Sequence, residues 1–176
     1  HFGGHAAGLV AAAGGSAAAL VGLVTQLLPG FRDHAVYRGR QVFLYKRAQI
    51  FVGDVYGAFE GRGLGAFRDI DQLTMFADYR VPVVLRTLGI LSYSRQLEDK
   101  ILRREQLPAG GEEEVEIRAC TVVAVERLRE GLADKFRDTP GAQVPHAIQL
   151  DWWLWEEGER QRKQHPPHHR TLTIFY

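Results

Sequence analysis

Apolar residues recur at helical spacing through much of the chain. The first such stretch, residues 6–28, contains no charged residue and is long enough to be considered as a membrane span. Its high content of Ala and Gly favours a buried helix built from small residues instead. The Gly-Gly-Ser segment that ends at Ser16 predicts a break followed by a helix N-cap, and Pro29 predicts the end of that helix.

Later apolar stretches predict further helices, and the acids near Asp69 predict another helix start. Pro82 suits a first helical turn, which places Asp78 just before a helix or at its N-terminus. The predicted helices cover residues 43–59, 81–91, 97–107, 112–132 and 148–155, and short strands are predicted within residues 36–44 and 171–176. The fold class is therefore mainly α with a few short strands.

Composition limits the classes of function. The chain has 176 residues and a net charge of +1, which suits a single domain over residues 1–176 and gives no general attraction to nucleic acid or an anionic membrane. Cys120 is the single cysteine, so the chain has no disulfide or cysteine-based zinc site, and a cytoplasmic location is expected. Because the sequence starts at His1 rather than Met, we expect it to be part of a longer protein.

Two motifs suggest binding sites but have simpler explanations. The glycines at 61, 63 and 65 lack the strand and helix context of a dinucleotide site and the Lys of a P-loop, so a turn is expected. The imidazoles of His165, His168 and His169 are suitable ligands for zinc or nickel. The two prolines between them favour an extended, solvated tail over a metal site.

Asp78 is the most informative carboxylate. An acid at the N-terminus of an apolar helix is expected to stay ionised, because the helix dipole and free backbone N–H groups stabilise its anion. A fixed anion of this kind would stabilise the positive charge that develops on a ribose when its base leaves. The alternative is that Asp78 only caps the helix and pairs with Arg80, and the residue pattern alone does not decide between the two.

Two further groups of residues are candidates for substrate binding. Lys46 and Arg47 are adjacent cations in a largely apolar segment, where they would bind a phosphate or simply be surface charges. Asp151 and Trp155 share a helical face, and indoles beside carboxylates would recognise a cationic heterocycle. The alternative is a core tryptophan cluster, which we expect for Trp153.

Several longer strings resemble the queuosine salvage family, whose members are queuosine 5′-phosphate N-glycosidases. The resemblance runs in order from about residue 2 to residue 176 and implies that a family N-terminal region is absent from this sequence. The strings are Phe31-Arg-Asp33, YKRAQI at 45–50 followed by Asp54, DIDQLTMFADYRVP at 69–82, Tyr93-Ser94, EVEIR at 114–118, residues 151–155, and His169-Arg170 before Tyr176.

The resemblance implies hydrolysis of queuosine 5′-monophosphate to queuine and ribose 5-phosphate, so that queuine returns to tRNA modification. It implies no cofactor, no metal, no direct nucleic-acid partner and no membrane. The family's nucleophilic or charge-stabilising aspartate falls on Asp78. Its base-contacting positions fall on Phe76, Asp151, Trp152 and Glu156, and phosphate or supporting roles are assigned to Lys46 and Asp54.

The resemblance also implies a helical fold similar to that of helix-hairpin-helix DNA glycosylases. The chain departs from the family pattern at Val83, Trp152 and Glu156, where Gln, Tyr and Asp are common, and these departures concern base recognition. Two alternative functions remain. A base-excision glycosylase is disfavoured by the near-zero net charge, and a noncatalytic nucleotide- or tRNA-associated module would bind the substrate without cleaving it.

Overall fold

The computed structural model describes residues 2–176 and is mainly helical, as the sequence predicts. A two-stranded antiparallel sheet is inserted between the second and third helices. In chain order the elements are α1 (Ala6–Ala12), α2 (Ala17–Leu27), β1 (His34–Tyr37), β2 (Arg40–Phe43), α3 (Lys46–Ala58), α4 (Val81–Thr87), α5 (Arg95–Leu102), α6 (Glu112–Phe136) and α7 (Ala147–Arg160).

The predicted break before α2 is confirmed. Gly14 and Gly15 adopt positive φ angles, and Ser16 caps α2 by accepting a hydrogen bond from the backbone N–H of Ala19. Asp69 does not begin a regular α-helix. Instead its carboxylate accepts from the N–H of Ala17 at 2.6 Å and from the Ser16 hydroxyl at 2.7 Å, so it caps α2 from a distant part of the chain.

The predicted strand over residues 36–44 is a hairpin. His34 pairs with Phe43 and Tyr37 with Arg40, and the connecting residues Arg38 and Gly39 both have positive φ angles. Because the hairpin occupies residues up to 43, the next helix begins at Lys46 rather than at residue 43.

Each helix described within residues 2–176 is too short or too polar to span a lipid bilayer.

The packing of α4 against α7 and α6 forms the centre of the fold. Residues Val81–Leu85 of α4 are all buried, and Pro82 lies in the first turn as predicted. Gly158 allows the close approach of α7, because a Cβ there would lie 2.7 Å from Cγ of Arg80 and 2.9 Å from a Val84 methyl. Helix α4 is shorter than predicted and ends before Gly89, whose φ of 72° interrupts the helical geometry.

The C-terminal segment differs most from expectation. The predicted strand over residues 171–176 is wrong: within residues 2–176 this part of the chain forms only one isolated bridge, between Arg170 and Gln106. The tail is not fully solvated either, because His169 is buried and its Nε2 lies 3.1 Å from the Tyr176 hydroxyl. Trp153, expected in the core, is 58% exposed because it lies on the outer face of α7.

Candidate active site

A pocket of about 290 Å³ lies between α3, α7 and the segment that leads into α4. We call it the acid pocket because two buried carboxylates, Asp78 and Asp151, line it. Its lining residues are Lys46, Ile50, Asp54, Phe76, Asp78, Asp151, Trp152 and Trp155. The structure therefore brings together six of the seven site residues predicted from the sequence.

Glu156 is the predicted site residue that lies outside this lining. It is exposed on α7, one helical turn after Trp152 on the same side of the helix. Trp155 also lines the pocket, although it is not one of those seven residues. Its i, i+4 spacing from Asp151 predicted that both residues share one face of α7, and the structure places both at the pocket.

Asp78 is held by the first turn of α4. Its Oδ1 accepts hydrogen bonds of 3.0 Å from the backbone N–H groups of Arg80 and Val81, so the predicted capping geometry is present. In the alternative left open by the sequence Asp78 also pairs with Arg80; in the structure Arg80 Nε donates to Glu159 at 2.6 Å, and its charge acts on Asp78 without a side-chain hydrogen bond. Within residues 2–176 no protein group donates a hydrogen bond to the other carboxylate oxygen of Asp78, Oδ2.

Asp151 lies on the buried face of α7, between Leu150 and Leu154. Its Oδ1 accepts a hydrogen bond of 3.0 Å from the backbone N–H of Phe76. This bond fixes the segment that carries both Phe76 and Asp78. An acid within the apolar stripe of a helix is the informative exception to the burial pattern, since charged residues are rarely buried without a specific role.

The two carboxylates differ in their electrostatic surroundings. Burial raises the pKa of Asp78, an effect that the expectation based on the helix N-terminus did not include; the two N–H donors and Lys46 oppose the effect of burial. Burial and the negative charge of Asp78 raise the pKa of Asp151 to about 8. More groups favour the anion of Asp78 than that of Asp151, so Asp151 is the carboxyl that more readily holds a proton.

Lys46 provides the positive charge of the acid pocket. Burial lowers its pKa, while the charges of Asp78 and Asp151 oppose that decrease. Its backbone N–H, at the first residue of α3, donates to Oδ2 of Asp33 at 3.0 Å. Helix α3 also passes close to Phe76, because Gly53 has no side chain: a Cβ there would lie 2.8 Å from the ring.

A second pocket, of about 370 Å³, adjoins the first. We call it the basic pocket because Arg47 joins Lys46 in its lining. Lys46, Ile50 and Asp54 line both pockets. The remaining lining residues are Phe31, Phe51, Ile174, Phe175 and Tyr176, so the C-terminal tail forms one wall. Arg47 is fixed by donating to the Ile174 carbonyl at 3.2 Å and lies over the Phe31 ring.

Neither suggested metal or phosphate motif forms a site. Gly63–Gly65 is a short 3₁₀ turn, as expected for a loop. Within residues 2–176 no three His, Cys, Asp or Glu side chains are grouped so as to hold a metal ion, and His165, His168 and His169 are included in that result.

Comparison with known proteins identifies the family. The sequence profile described as queuosine salvage protein matches residues 1–176. The chain belongs to the queuosine salvage protein family. A relative from Sphaerobacter thermophilus, named queuosine 5′-phosphate N-glycosylase/hydrolase, is 54% identical over 175 residues, which is 99% of this chain and 52% of the relative.

Relatives with the same name come from distant organisms. The protein from Dictyostelium discoideum is 51% identical, with 100% of this chain and 53% of the relative covered. The protein from Mus musculus is 40% identical, with 99% of this chain and 53% of the relative covered. The chain thus spans about half the length of the curated relatives it matches.

Val83 and Trp152 are two of the three positions at which the resemblance implied departures from the family pattern. Val83 is buried within α4 and does not line the acid pocket. Trp152 does line it, and its ring lies 3.3 Å from where a Cβ of Gly57 would be. Of the two, only Trp152 lies on the pocket wall.

Proposed function

We propose that this chain hydrolyses the N-glycosidic bond of queuosine 5′-monophosphate and releases queuine and ribose 5-phosphate. The observation that carries the proposal is the pair of buried carboxylates, Asp78 and Asp151, that line one pocket together with a lysine and aromatic rings. The activity for which relatives up to 54% identical are named supports it. Those relatives are about twice as long as this chain, so the hydrolytic activity of the chain itself is a proposal.

Asp78 is proposed to stabilise the sugar as the bond breaks. When the C1′–N bond cleaves, its electron pair stays with the base and positive charge develops on C1′ and the ring oxygen. An ionised Asp78 beside C1′ lowers this barrier electrostatically or adds to C1′ to form an ester. The N–H groups of Arg80 and Val81 hold one of its oxygens and leave the other to face the sugar.

Asp151 is proposed to act on the leaving base. Queuine is a 7-deazaguanine, so its five-membered ring has carbon where guanine has a nitrogen that can accept a proton. The departing anion must therefore be stabilised elsewhere. A neutral Asp151, which its raised pKa of about 8 favours, donates a hydrogen bond to the base as the base departs. Water then supplies hydroxide to C1′, which releases Asp78 if an ester has formed, and the remaining proton of water goes to the departing base.

The flat base is proposed to bind between aromatic rings. Phe76 lies at the buried end of the acid pocket, whereas Trp155 is 44% exposed. Trp152 lies between these two extremes of burial. A heterocycle stacked on them buries its faces and keeps its edge toward Asp151.

The cyclopentenyl-aminomethyl arm of queuine carries a secondary amine that is cationic at neutral pH. Glu156 follows Trp152 by one turn and is exposed, so it is proposed to meet this amine where the arm leaves the pocket. This assignment differs from that of Asp151, which is buried and has a raised pKa that favours its neutral form, so Asp151 is proposed to bind the ring rather than the cation.

The phosphate is proposed to bind where the two pockets meet. Lys46 lines both pockets, and Arg47 adds a second cation on the basic side. A ribose at Asp78 would direct its 5′-phosphate toward these cations, and Asp54 would support Lys46 from the shared wall.

The wider setting is also a proposal. The chain is proposed to be one glycosidase domain over residues 1–176, cytoplasmic, without cofactor or metal and without a direct nucleic-acid partner. Its likeness to helix-hairpin-helix DNA glycosylases rests on an acid that precedes α4 and a Leu-Gly pair that follows it. That likeness concerns the fold and does not select the substrate.

Incubation with queuosine 5′-monophosphate tests the proposal. Mass spectrometry should detect free queuine and ribose 5-phosphate in equal amounts. A base-excision glycosylase would instead release a base from DNA or RNA, and a binding module would retain the nucleotide intact. The assay should be run on the chain together with whatever sequence flanks it in its gene, and on the Sphaerobacter thermophilus relative as the positive control.

A further inference from the structure

A buried cluster of charged groups lies behind the acid pocket and does not line it. Arg118 of α6 and Asp33, which precedes β1, are 3% and 2% exposed. The guanidinium binds both carboxylate oxygens, with Nη1 to Oδ1 at 2.9 Å and Nη2 to Oδ2 at 2.5 Å. Burial of an ion pair is weak evidence of a stabilising role, because desolvation offsets the attraction between the charges.

Each member of this pair also holds a segment that carries a pocket residue. Arg118 Nε donates to the carbonyl of Ala77 at 2.9 Å, and that carbonyl belongs to the peptide bond that leads into Asp78. Asp33 Oδ2 accepts from the backbone N–H of Lys46 at 3.0 Å. One ion pair therefore connects the two peptides that carry the pocket's anion and its cation.

The Lys46 side of the connection needs such support. Tyr45, which precedes α3, has a φ of 47°, a left-handed conformation that residues other than glycine rarely adopt. The carbonyl of Asp33 accepts from the N–H groups of Leu44 and Tyr45 at 3.0 Å, so Asp33 holds this turn through its backbone as well as its carboxylate. Without these contacts the start of α3 could relax and move Lys46.

Further contacts hold Arg118 in one orientation. Glu114 accepts from Nη1 at 3.3 Å and from the Tyr176 hydroxyl at 2.8 Å, and the Tyr176 ring lies 5.0 Å from the guanidinium carbon. All three guanidinium nitrogens of Arg118 therefore donate hydrogen bonds, and the Tyr176 ring packs near the group, so its orientation is fixed. An apolar pair of similar size would fill the space but could not bind both peptides.

We propose that the Asp33–Arg118 ion pair is a positioning device that sets the Asp78 carboxylate and the Lys46 ammonium at a fixed separation and orientation. The expected effect of this ion pair on catalysis rests on the proposed function. Its effect on the surroundings of Asp78 can be measured without any turnover. Asp33 and Arg118 are positioning residues, since neither lines the acid pocket.

Arg118→Lys is the decisive variant because it keeps the charge. A lysine cannot bind both Asp33 oxygens and the Ala77 carbonyl at once, so geometry changes while charge does not. Arg86→Lys is the matched control: Arg86 also pairs with a carboxylate, Glu98 at 2.5 Å, and lies 4.3 Å from the centre of a tyrosine ring. Arg86 lies in the last turn of α4, away from both pockets.

The first measurement is a carboxyl-carbon NMR titration of Asp78, with its signal assigned by its loss in Asp78→Asn. The charged groups that act on Asp78 are Lys46, Arg80 and Asp151. Displacing Asp78 alters its burial, which raises its pKa, and its contacts with Lys46 and the N–H donors, which lower it. Arg118→Lys should therefore shift the pKa of Asp78 by at least about 0.5 unit, and Arg86→Lys should leave it unchanged.

The second measurement is hydrolysis well below each variant's unfolding midpoint. Arg118→Lys should lower kcat at least about tenfold with a smaller change in KM, because small displacements of catalytic groups reduce rates strongly. Asp33→Asn keeps the acceptor for Lys46 and should have a smaller effect in the same direction. It also serves as the test variant if Arg118→Lys does not fold.

An unchanged Asp78 titration in both Arg118→Lys and Asp33→Asn would overturn the positioning role, even if both variants were less stable. If the unsubstituted protein does not cleave queuosine 5′-monophosphate, the proposed function fails. The NMR titration then still decides whether the ion pair positions Asp78, so the two failures are distinguishable.

Discussion

The acid pocket and the basic pocket share α3 as a wall but have opposite charge and different burial. Asp78 and Asp151 in the acid pocket are each 4% exposed, whereas Arg47 in the basic pocket is exposed. The deep pocket suits a group that is neutral until it reacts, because its carboxylates act most strongly where water is excluded. The open pocket suits an anion that stays hydrated. The division matches a nucleoside monophosphate whose reacting bond is distant from its permanent charge.

Removing the negative charge of Asp78 from the acid pocket should have the largest effect on turnover. Asp78→Asn should reduce kcat by on the order of 10³ or more while changing substrate affinity less than about tenfold, because the anion is needed mainly when positive charge develops. The asparagine oxygen can still accept from Arg80 and Val81, so the unfolding midpoint should not fall. Single-turnover kinetics, substrate titration and thermal unfolding measure these quantities.

Asp71→Asn is the matched control, since Asp71 is an exposed carboxylate in the same part of the chain. It should behave like the unsubstituted protein. Asp78→Asn turnover close to that of the unsubstituted protein would remove Asp78 from the mechanism and leave its capping role alone.

Removing the Lys46 ammonium, which lines both pockets, should weaken recognition of the 5′-phosphate. We expect a preference for the 5′-monophosphate over the free nucleoside, and Lys46→Ala should narrow that ratio of kcat/KM values by about tenfold or more. Lys163→Ala, at an exposed lysine outside both pockets, should leave the ratio unchanged. Equal hydrolysis of both substrates by the unsubstituted protein would contradict a phosphate site at Lys46.

Asp151 should make both turnover and stability depend on pH. Because its pKa is raised to about 8, the active neutral form is lost above that pH, so kcat/KM should fall there. Asp151→Asn should remove that basic limb and lower the rate at pH 7 about tenfold or less, because the asparagine amide can still donate a hydrogen bond to the base. A basic limb that survives in Asp151→Asn would assign the titration to another group.

The stability effect of Asp151 has the opposite sign from that of a salt-bridged acid. Between pH 4 and 8 the unfolded chain releases this proton and the folded chain retains it, so the free energy of unfolding falls by at most about 1.4 kcal/mol per pH unit. Below that range the group is protonated in both states, and above it no further loss occurs. Denaturant titrations of the protein and Asp151→Asn should converge at low pH and diverge toward pH 8.

Substitution of Glu156 should have the smallest effect on ligand binding, because this carboxylate is exposed whereas Asp78 and Asp151 are buried. Glu156→Gln should weaken queuine binding about twofold to fivefold, since exposed ion pairs contribute little, and should not alter binding of guanine, which lacks the cationic arm. Glu130→Gln, at an exposed glutamate of α6, is the control for loss of surface charge. Equal weakening of both ligands by Glu156→Gln would contradict recognition of the arm.

Local pattern was sufficient to predict some parts of this arrangement. Pro82 and the apolar residues after it fixed the start of α4 and hence the position of Asp78, because both signals act within one helical turn. The phase of α7 was harder to predict. The spacing from Asp151 placed Trp155 on the pocket face, but Trp153 was expected in the core, and only the packing of α7 shows that Trp153 points outward.

Long-range polar contacts could not be predicted in this way. Arg118 and Asp33 both lie in strings that resemble the family, yet each is an ordinary surface residue type, and only the fold buries them together across 85 positions. Asp69 likewise caps a helix 52 positions earlier rather than the turn it begins. Hydrophobic periodicity reports which face of an element is buried, but it does not report which polar groups meet there.

The sequence separations within the site have a consequence for folding kinetics. The contacts that hold the pocket join positions 75 apart from Phe76 to Asp151, 85 apart from Asp33 to Arg118 and 62 apart from Glu114 to Tyr176. Closing such loops is slow because chain entropy is lost before any contact forms, so these bonds are expected to form late. A partly folded chain with most of its helices would then have no pocket. During refolding, recovery of turnover should lag behind recovery of helical circular dichroism and report the arrival of the last long-range contacts.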